Sequence, residues 1–233
     1  MNIKKILLSA VCILAVAGIS VMGTLAYLTD STEVVNTFTM GNVDITLDEA
    51  KVDEYGVAIQ GADRVTGNEY KLIPGKSYDK DPTVTVVKGS EESYVRMLVT
   101  VNCWDKINAI CHPYGDTTLG TFFEGYDTNV WVPAGENDNV DNTHTYEFRY
   151  HTTVSAADAT ENVELEPLFT TFVAPGFLTG EDLKLLEGFK ITVNAHAIQA
   201  EGFADADAAW AAFDAQVDTT AGSGNSGAQT PTT

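Results

Sequence analysis

Basic side chains are scarce in this 233-residue chain, with 13 Lys and Arg against 33 Asp and Glu and a formal net charge of −20. Such an acidic excess argues against nucleic acid and anionic lipid surfaces as partners, because both repel it. Cysteine numbers three and histidine four, too few for a disulfide scaffold. None of His112, His144, His151 and His196 belongs to H-E-x-x-H or to a helical pair able to chelate zinc from one face. G-x-S-x-G is absent, and the glycines are scattered singly instead of forming a phosphate loop. No catalytic residue, no resident cofactor and no enzymatic activity is expected. Calcium is the one ion with chemical plausibility, through Asp138, Asp141 and neighbouring asparagines or through Asp48 and Glu49; a solvated acidic loop is the alternative.

The one long apolar run lies at the start. Met1-Asn2-Ile3-Lys4-Lys5 precedes an apolar stretch from Ile6 to Met22, followed by Gly23-Thr24-Leu25-Ala26. Two lysines, an apolar segment slightly short of the roughly 20 residues of a membrane span, and a small residue at Ala26 read as a secretory signal peptide over 1–26. Cleavage between Ala26 and Tyr27 removes Lys4 and Lys5, which leaves 11 basic against 33 acidic side chains and a net of −22. No stable membrane anchor is expected after that cut. Cys103 and Cys111 then remain, an even number suited to an oxidising compartment. They read as a disulfide or as two free thiols.

Strand patterns dominate the rest. Val43, Ile45 and Leu47 alternate with polar residues, as does Thr83 to Val87. Val95, Met97, Val99 and Val101 share one face, as do Tyr146, Phe148 and Tyr150. Phe169 to Val173 and Phe189 to Ile198 are further candidates. Pro74-Gly75, Lys88-Gly89-Ser90, Pro133-Ala134-Gly135 and Ala174-Pro175-Gly176 separate these runs. The pattern predicts a mainly β, antiparallel sandwich or barrel over 41–217. Thr179 to Leu186 reads as a short helical turn. Ala204 to Val217 reads as a helix capped by Asp205 and docked through Trp210 and Phe213. Gly135 to Thr143 reads as an Asx-rich loop, and 218–233 as a flexible polar tail without a wall-anchor motif. His144 and His151 fall on opposite faces of one strand, and His196 is a half-buried strand residue.

Three blocks together carry a resemblance. Gly23-Thr24-Leu25-Ala26-Tyr27-Leu28-Thr29-Asp30 with Asn36-Thr37-Phe38-Thr39-Met40-Gly41-Asn42-Val43-Asp44-Ile45 resembles the junction and first strand of proteins cut by the SipW-type signal peptidase. Leu72-Ile73-Pro74-Gly75-Lys76-Ser77-Tyr78-Asp79-Lys80-Asp81-Pro82-Thr83-Val84 is similar to their loop into a core strand. Phe189 to Phe203, with Ala209-Trp210, resembles the closing strand and helix of the TasA/camelysin family. Leu28 departs from the phenylalanine frequent there, and residues 103–170 match nothing in it.

The resemblance implies a jelly-roll-like sandwich, secreted to the extracellular matrix or cell surface. There it would self-associate into biofilm-matrix fibres, with other matrix proteins as possible partners. It also implies donor-strand assembly, in which segment 27–40 offers Val34, Val35, Phe38 and Met40 to an open sheet edge of the next subunit. The alternative is an edge strand within its own subunit. A camelysin-like surface metalloendopeptidase and a monomeric adhesin are the competing functions, but no zinc-peptidase motif carries the former onto named residues.

Overall fold

A computed structural model describes residues 29–32 and 42–223, with side chains described from 42 to 217. The segment read as a signal peptide, its expected cleavage site Ala26/Tyr27 and the donor candidates Val34, Val35, Phe38 and Met40 lie outside the described residues. In chain order the strands are β1 (Thr29–Thr32), β2 (Ile45–Asp48), β3 (Ser77–Asp79), β4 (Thr83–Val86), β5 (Ser93–Asn102), β6 (Phe123–Glu124), β7 (Trp131–Asp138), β8 (Thr143–Tyr150), β9 (Val163–Glu164), β10 (Thr171–Val173) and β11 (Ile191–Gln199). The helices are α1 (Trp104–Cys111), α2 (Gly180–Leu185) and α3 (Ala206–Ser223).

Alternation along β5 organises the molecule. Val95, Met97, Val99 and Val101 are all at most 1% exposed, and they make β5 the central strand of a five-stranded sheet ordered β1-β11-β5-β8-β7. Met97 stands between Ala195 of β11 and Phe148 of β8, a small and a large neighbour that together fill one layer. Two three-stranded sheets, β2-β4-β9 and β3-β10-β6, complete the architecture. Their Ile45, Val84, Val86, Tyr78 and Phe172, with Val43 just ahead of β2, share one apolar core with the inner face of the large sheet. Every strand pairing is antiparallel. The fold is therefore a mainly β, antiparallel sandwich, as the alternation predicts.

The outer face of the large sheet is covered as well. Ile198, Ala209, Trp210 and Phe213 form a second, smaller apolar cluster beneath α3. Asp205 caps that helix, its Oδ1 accepting from Ala208 N–H at 2.9 Å, where the sequence predicts a cap. The helix runs on to Ser223, so the first residues assigned to a flexible tail are helical. Among the described residues no helix is long and apolar enough to cross a membrane.

Two expectations need correction. Gly135 to Asp138 is strand, not loop, and belongs to β7 with a register shift between Pro133 and Gly135. β7 is an edge strand whose residues after Trp131 are exposed, so it carries no apolar alternation, and Pro133 is tolerated because its missing N–H falls at an edge. His144 and His151 do not share a strand, since β8 ends at Tyr150. Residues 104–111 are helical, which the sequence reading does not predict. Of the two readings left open for Cys103 and Cys111, the structure holds free thiols. They sit at opposite ends of α1, and eight residues of helix rise about 12 Å, well beyond the Cα separation that a disulfide spans.

Candidate strand-acceptor groove

β11 is nine residues long and pairs with β5 along its whole length, from Ile191 opposite Val101 to Gln199 opposite Ser93. On its other side it pairs only with β1, from Thr29 opposite Ile198 to Thr32 opposite Ala195. Residues Ile191 to Asn194 thus have a strand neighbour on one side only, among the described residues. Among the described residues the strand paired with β2 is β4. A strand laid beside β11 pairs through backbone N–H and C=O groups.

Between β11 and β2 lies an open groove of about 1170 Å³. Leu47, Leu72, Phe172, Leu186, Phe189 and Val193 line it. Leu186 and Phe172 belong to the buried core, whereas Leu47, Leu72, Phe189 and Val193 are partly buried and pack against it. The capping box at Thr179, whose Oγ1 accepts from Asp182 N–H at 3.2 Å while Asp182 Oδ2 accepts from Thr179 N–H at 2.8 Å, starts α2 and so holds Leu183 and Leu186 in the groove wall.

The opposite wall is polar. Glu49 and Lys80, 4% and 9% exposed, form an ion pair at 2.5 Å, and Asn68 Nδ2 donates to the other Glu49 oxygen at 2.9 Å. Arg64 bridges Asp48 and Asp81, and thereby fastens the residues that flank this pair in sequence. The Tyr70 ring lies 5.7 Å from Lys80 Nζ, and its phenol is pushed up by burial and by the Glu49 charge, which keeps it protonated.

A second polar cluster fastens α3 to the outer face. Arg96, only 3% exposed, stands across the sheet from Arg149 on β8 and His196 on β11. Its guanidinium donates to Asp214 Oδ1 at 2.5 Å and Oδ2 at 3.2 Å and stacks 4.4 Å from the Trp210 ring centroid. Its Nε donates to His196 Nδ1 at 3.2 Å, which requires that nitrogen to be unprotonated. Burial, and next the Arg96 charge, lower the His196 pKa to about 4. Arg149 binds Glu147 and Asp207. The sequence signal for Arg96 is faint, because it occupies a polar position of an alternating strand and reads as solvated.

The remaining candidates are dispersed. Asp48 and Glu49 are engaged by Arg64 and Lys80. Asp138 Oδ1 lies 2.6 Å from His144 Nδ1, and Asp141 Oδ1 accepts from Thr143 at 2.7 Å. His144 is buried against Trp104, ring centroids 4.1 Å apart. His112 closes α1, and His151 follows β8 in an exposed turn. His196 is half-buried on β11, as expected. Among the described residues no three His, Cys, Asp or Glu side chains gather into a group able to hold a metal ion. Comparison with family models, with curated proteins and with solved structures yields no match.

Proposed function

We propose that this chain is an exported structural subunit of extracellular or cell-surface fibres, joined by strand exchange into the groove beside β11. One observation carries the reading. Among the described residues β1, here an edge strand of its own subunit, covers four positions of β11, and Ile191 to Asn194 beyond it lie next to an apolar groove that an exchanged strand could fill. Paired positions of β1 and β11 sum to 227. Continuing that register would bring Val34 opposite Val193 and Asn36 opposite Ile191. Val34, Phe38 and Met40 would then share the face that Val193 turns toward the core, because strand side chains alternate. Backbone pairing supplies affinity in such an exchange, and alternate side chains supply register.

The strong acidic charge suits this role. It keeps free subunits apart at low ionic strength, while assembly gains from salt that screens the repulsion. Cleavage after Ala26 frees the segment from its membrane-inserted leader, so processing by a SipW-type peptidase would precede assembly.

A peptide comprising residues 27–40, titrated into protein lacking them, tests the docking step. Saturable binding is expected, weakened at least tenfold when Val34 and Phe38 are both replaced by Asp. Absence of binding, or equal binding by the charged peptide, contradicts the reading.

A further inference from the structure

The polar wall of the groove holds an arrangement that fibre assembly does not need. A buried ion pair such as Glu49–Lys80 stabilises little, since desolvation offsets most of the attraction. Here the same carboxylate also grips a carboxamide. Glu49 Oε2 accepts from Lys80 Nζ at 2.5 Å, and Glu49 Oε1 accepts from Asn68 Nδ2 at 2.9 Å. Asn68 Nδ2 donates to the Ala50 carbonyl as well, at 2.8 Å. Its Oδ1 accepts from Val52 N–H at 3.0 Å. These partners fix which end of the amide is oxygen, and the Val52 N–H polarises the carbonyl.

The local fold enforces this meeting. Glu49 and Val65 exchange both backbone hydrogen bonds at 2.8 Å, which lays the segment leading to Asn68 beside the end of β2. Asp81 Oδ1 accepts from Ala50 N–H at 2.7 Å, which draws the Lys80 backbone to the same place. The amine, the carboxamide and the carboxylate come from three separate segments.

We propose that Lys80 and Asn68 are the substrates of a self-catalysed amide cross-link, with Glu49 as the proton-transfer group. Glu49 takes a proton from the Lys80 ammonium, and the neutral amine attacks Asn68 Cγ. A Nζ–Cγ bond forms, and the charge gathering on Oδ1 is met by the Val52 N–H. Protonated Glu49 then delivers a proton to Nδ2 as the Cγ–Nδ2 bond breaks. Ammonia leaves through the open groove, carrying the second amine proton away as ammonium. One ammonium and one carboxamide become one amide and one ammonium, so atoms and charge balance without an oxidant or cofactor. Holding both reactants on one carboxylate supplies the proximity that such a step requires. The product pins the loop bearing Asn68 to the β3–β4 connection and makes the groove wall covalent. This holds whether or not the groove accepts a strand.

Peptide mapping of the purified full chain decides it. Trypsin is expected to release residues 65–71 joined to 77–88, with no cut after Lys80, at a mass one ammonia below the sum of the two peptides. Lys80→Arg and Asn68→Ala should each abolish the linked pair, and Glu49→Gln should leave Lys80 cleavable in protein with wild-type circular dichroism. The linked species in wild type stands as support even where a variant does not fold. Unlinked 65–71 and a cut after Lys80 in folded wild-type protein overturn the proposal. So does an ammonia deficit confined to peptide 65–71, the mark of a succinimide at Asn68. A linked pair that persists in folded Glu49→Gln removes Glu49 from the chemistry.

Discussion

Thr32 stands opposite Ala195, the last β1–β11 pair among the described residues, and β11 runs back another four residues to Ile191. Leu98 to Val101 of β5 pair with those four residues from the far side, so this stretch of β11 rests on a rigid support. Strand exchange needs such a support, because a soft edge would lose ordering entropy with every strand it accepts.

Arg96 should act as the fastener of α3. Arg96→Ala leaves Asp214 without its partner and removes the cation stacked on Trp210, and is expected to cost about 3 kcal/mol in urea unfolding. Asp214 is 55% exposed in its side chain, so solvent screens its loss, and Asp214→Asn should cost under about 1 kcal/mol. An Arg96→Ala cost as small as that of Asp214→Asn would show that Arg96 is not the fastener.

His196 predicts a pH dependence. Its folded pKa of about 4 lies below the ordinary value of 6.5, so the unfolded chain binds the extra proton between those values. The contribution to stability is fully present above about pH 6.5 and is lost as pH falls toward 4. Urea midpoints measured at pH 7 and pH 5 should therefore separate more for wild type than for His196→Asn. Identical pH slopes in both proteins would contradict the neutral, Arg96-bonded imidazole.

The two thiols give a direct chemical check. In protein beginning at Tyr27, alkylation in denaturant without reductant should label both Cys103 and Cys111. In the folded state Cys111 should react far more slowly, since it is 4% exposed and burial raises its thiol pKa. A disulfide found between them would mean that α1 is not formed.

Much of the sandwich is legible in the sequence because burial writes a period of two. Val95 to Val101, Tyr146 with Phe148, and Val84 with Val86 all announce their strands and their inward faces. The α3 helix is equally plain, with Asp205 ahead of Trp210 and Phe213. Illegible elements are those whose determinants lie elsewhere in the chain. α1 takes its N-terminal capping from Asn142, whose carbonyl accepts from Trp104 N–H at 3.1 Å and whose Oδ1 accepts from Asp105 N–H at 2.9 Å, so no local cap precedes the helix. β7 is an exposed edge and carries no apolar rhythm. The groove is only half legible: Val193 and Phe189 read as strand residues, but nothing local says that Leu47 and Leu186 line the same groove. Glu49, Asn68 and Lys80 meet through Val65 and Asp81, a convergence that no spacing reveals.

Assembly of the processed chain is the most direct test of the central claim. Protein beginning at Tyr27 and protein beginning at Gly41 should be compared by electron microscopy and sedimentation at matched concentration and raised salt. The longer form is expected to build fibres and the shorter to remain monomeric, with added 27–40 peptide capping the growth of the longer form. Fibres from both proteins, or from neither, would contradict strand exchange at β11.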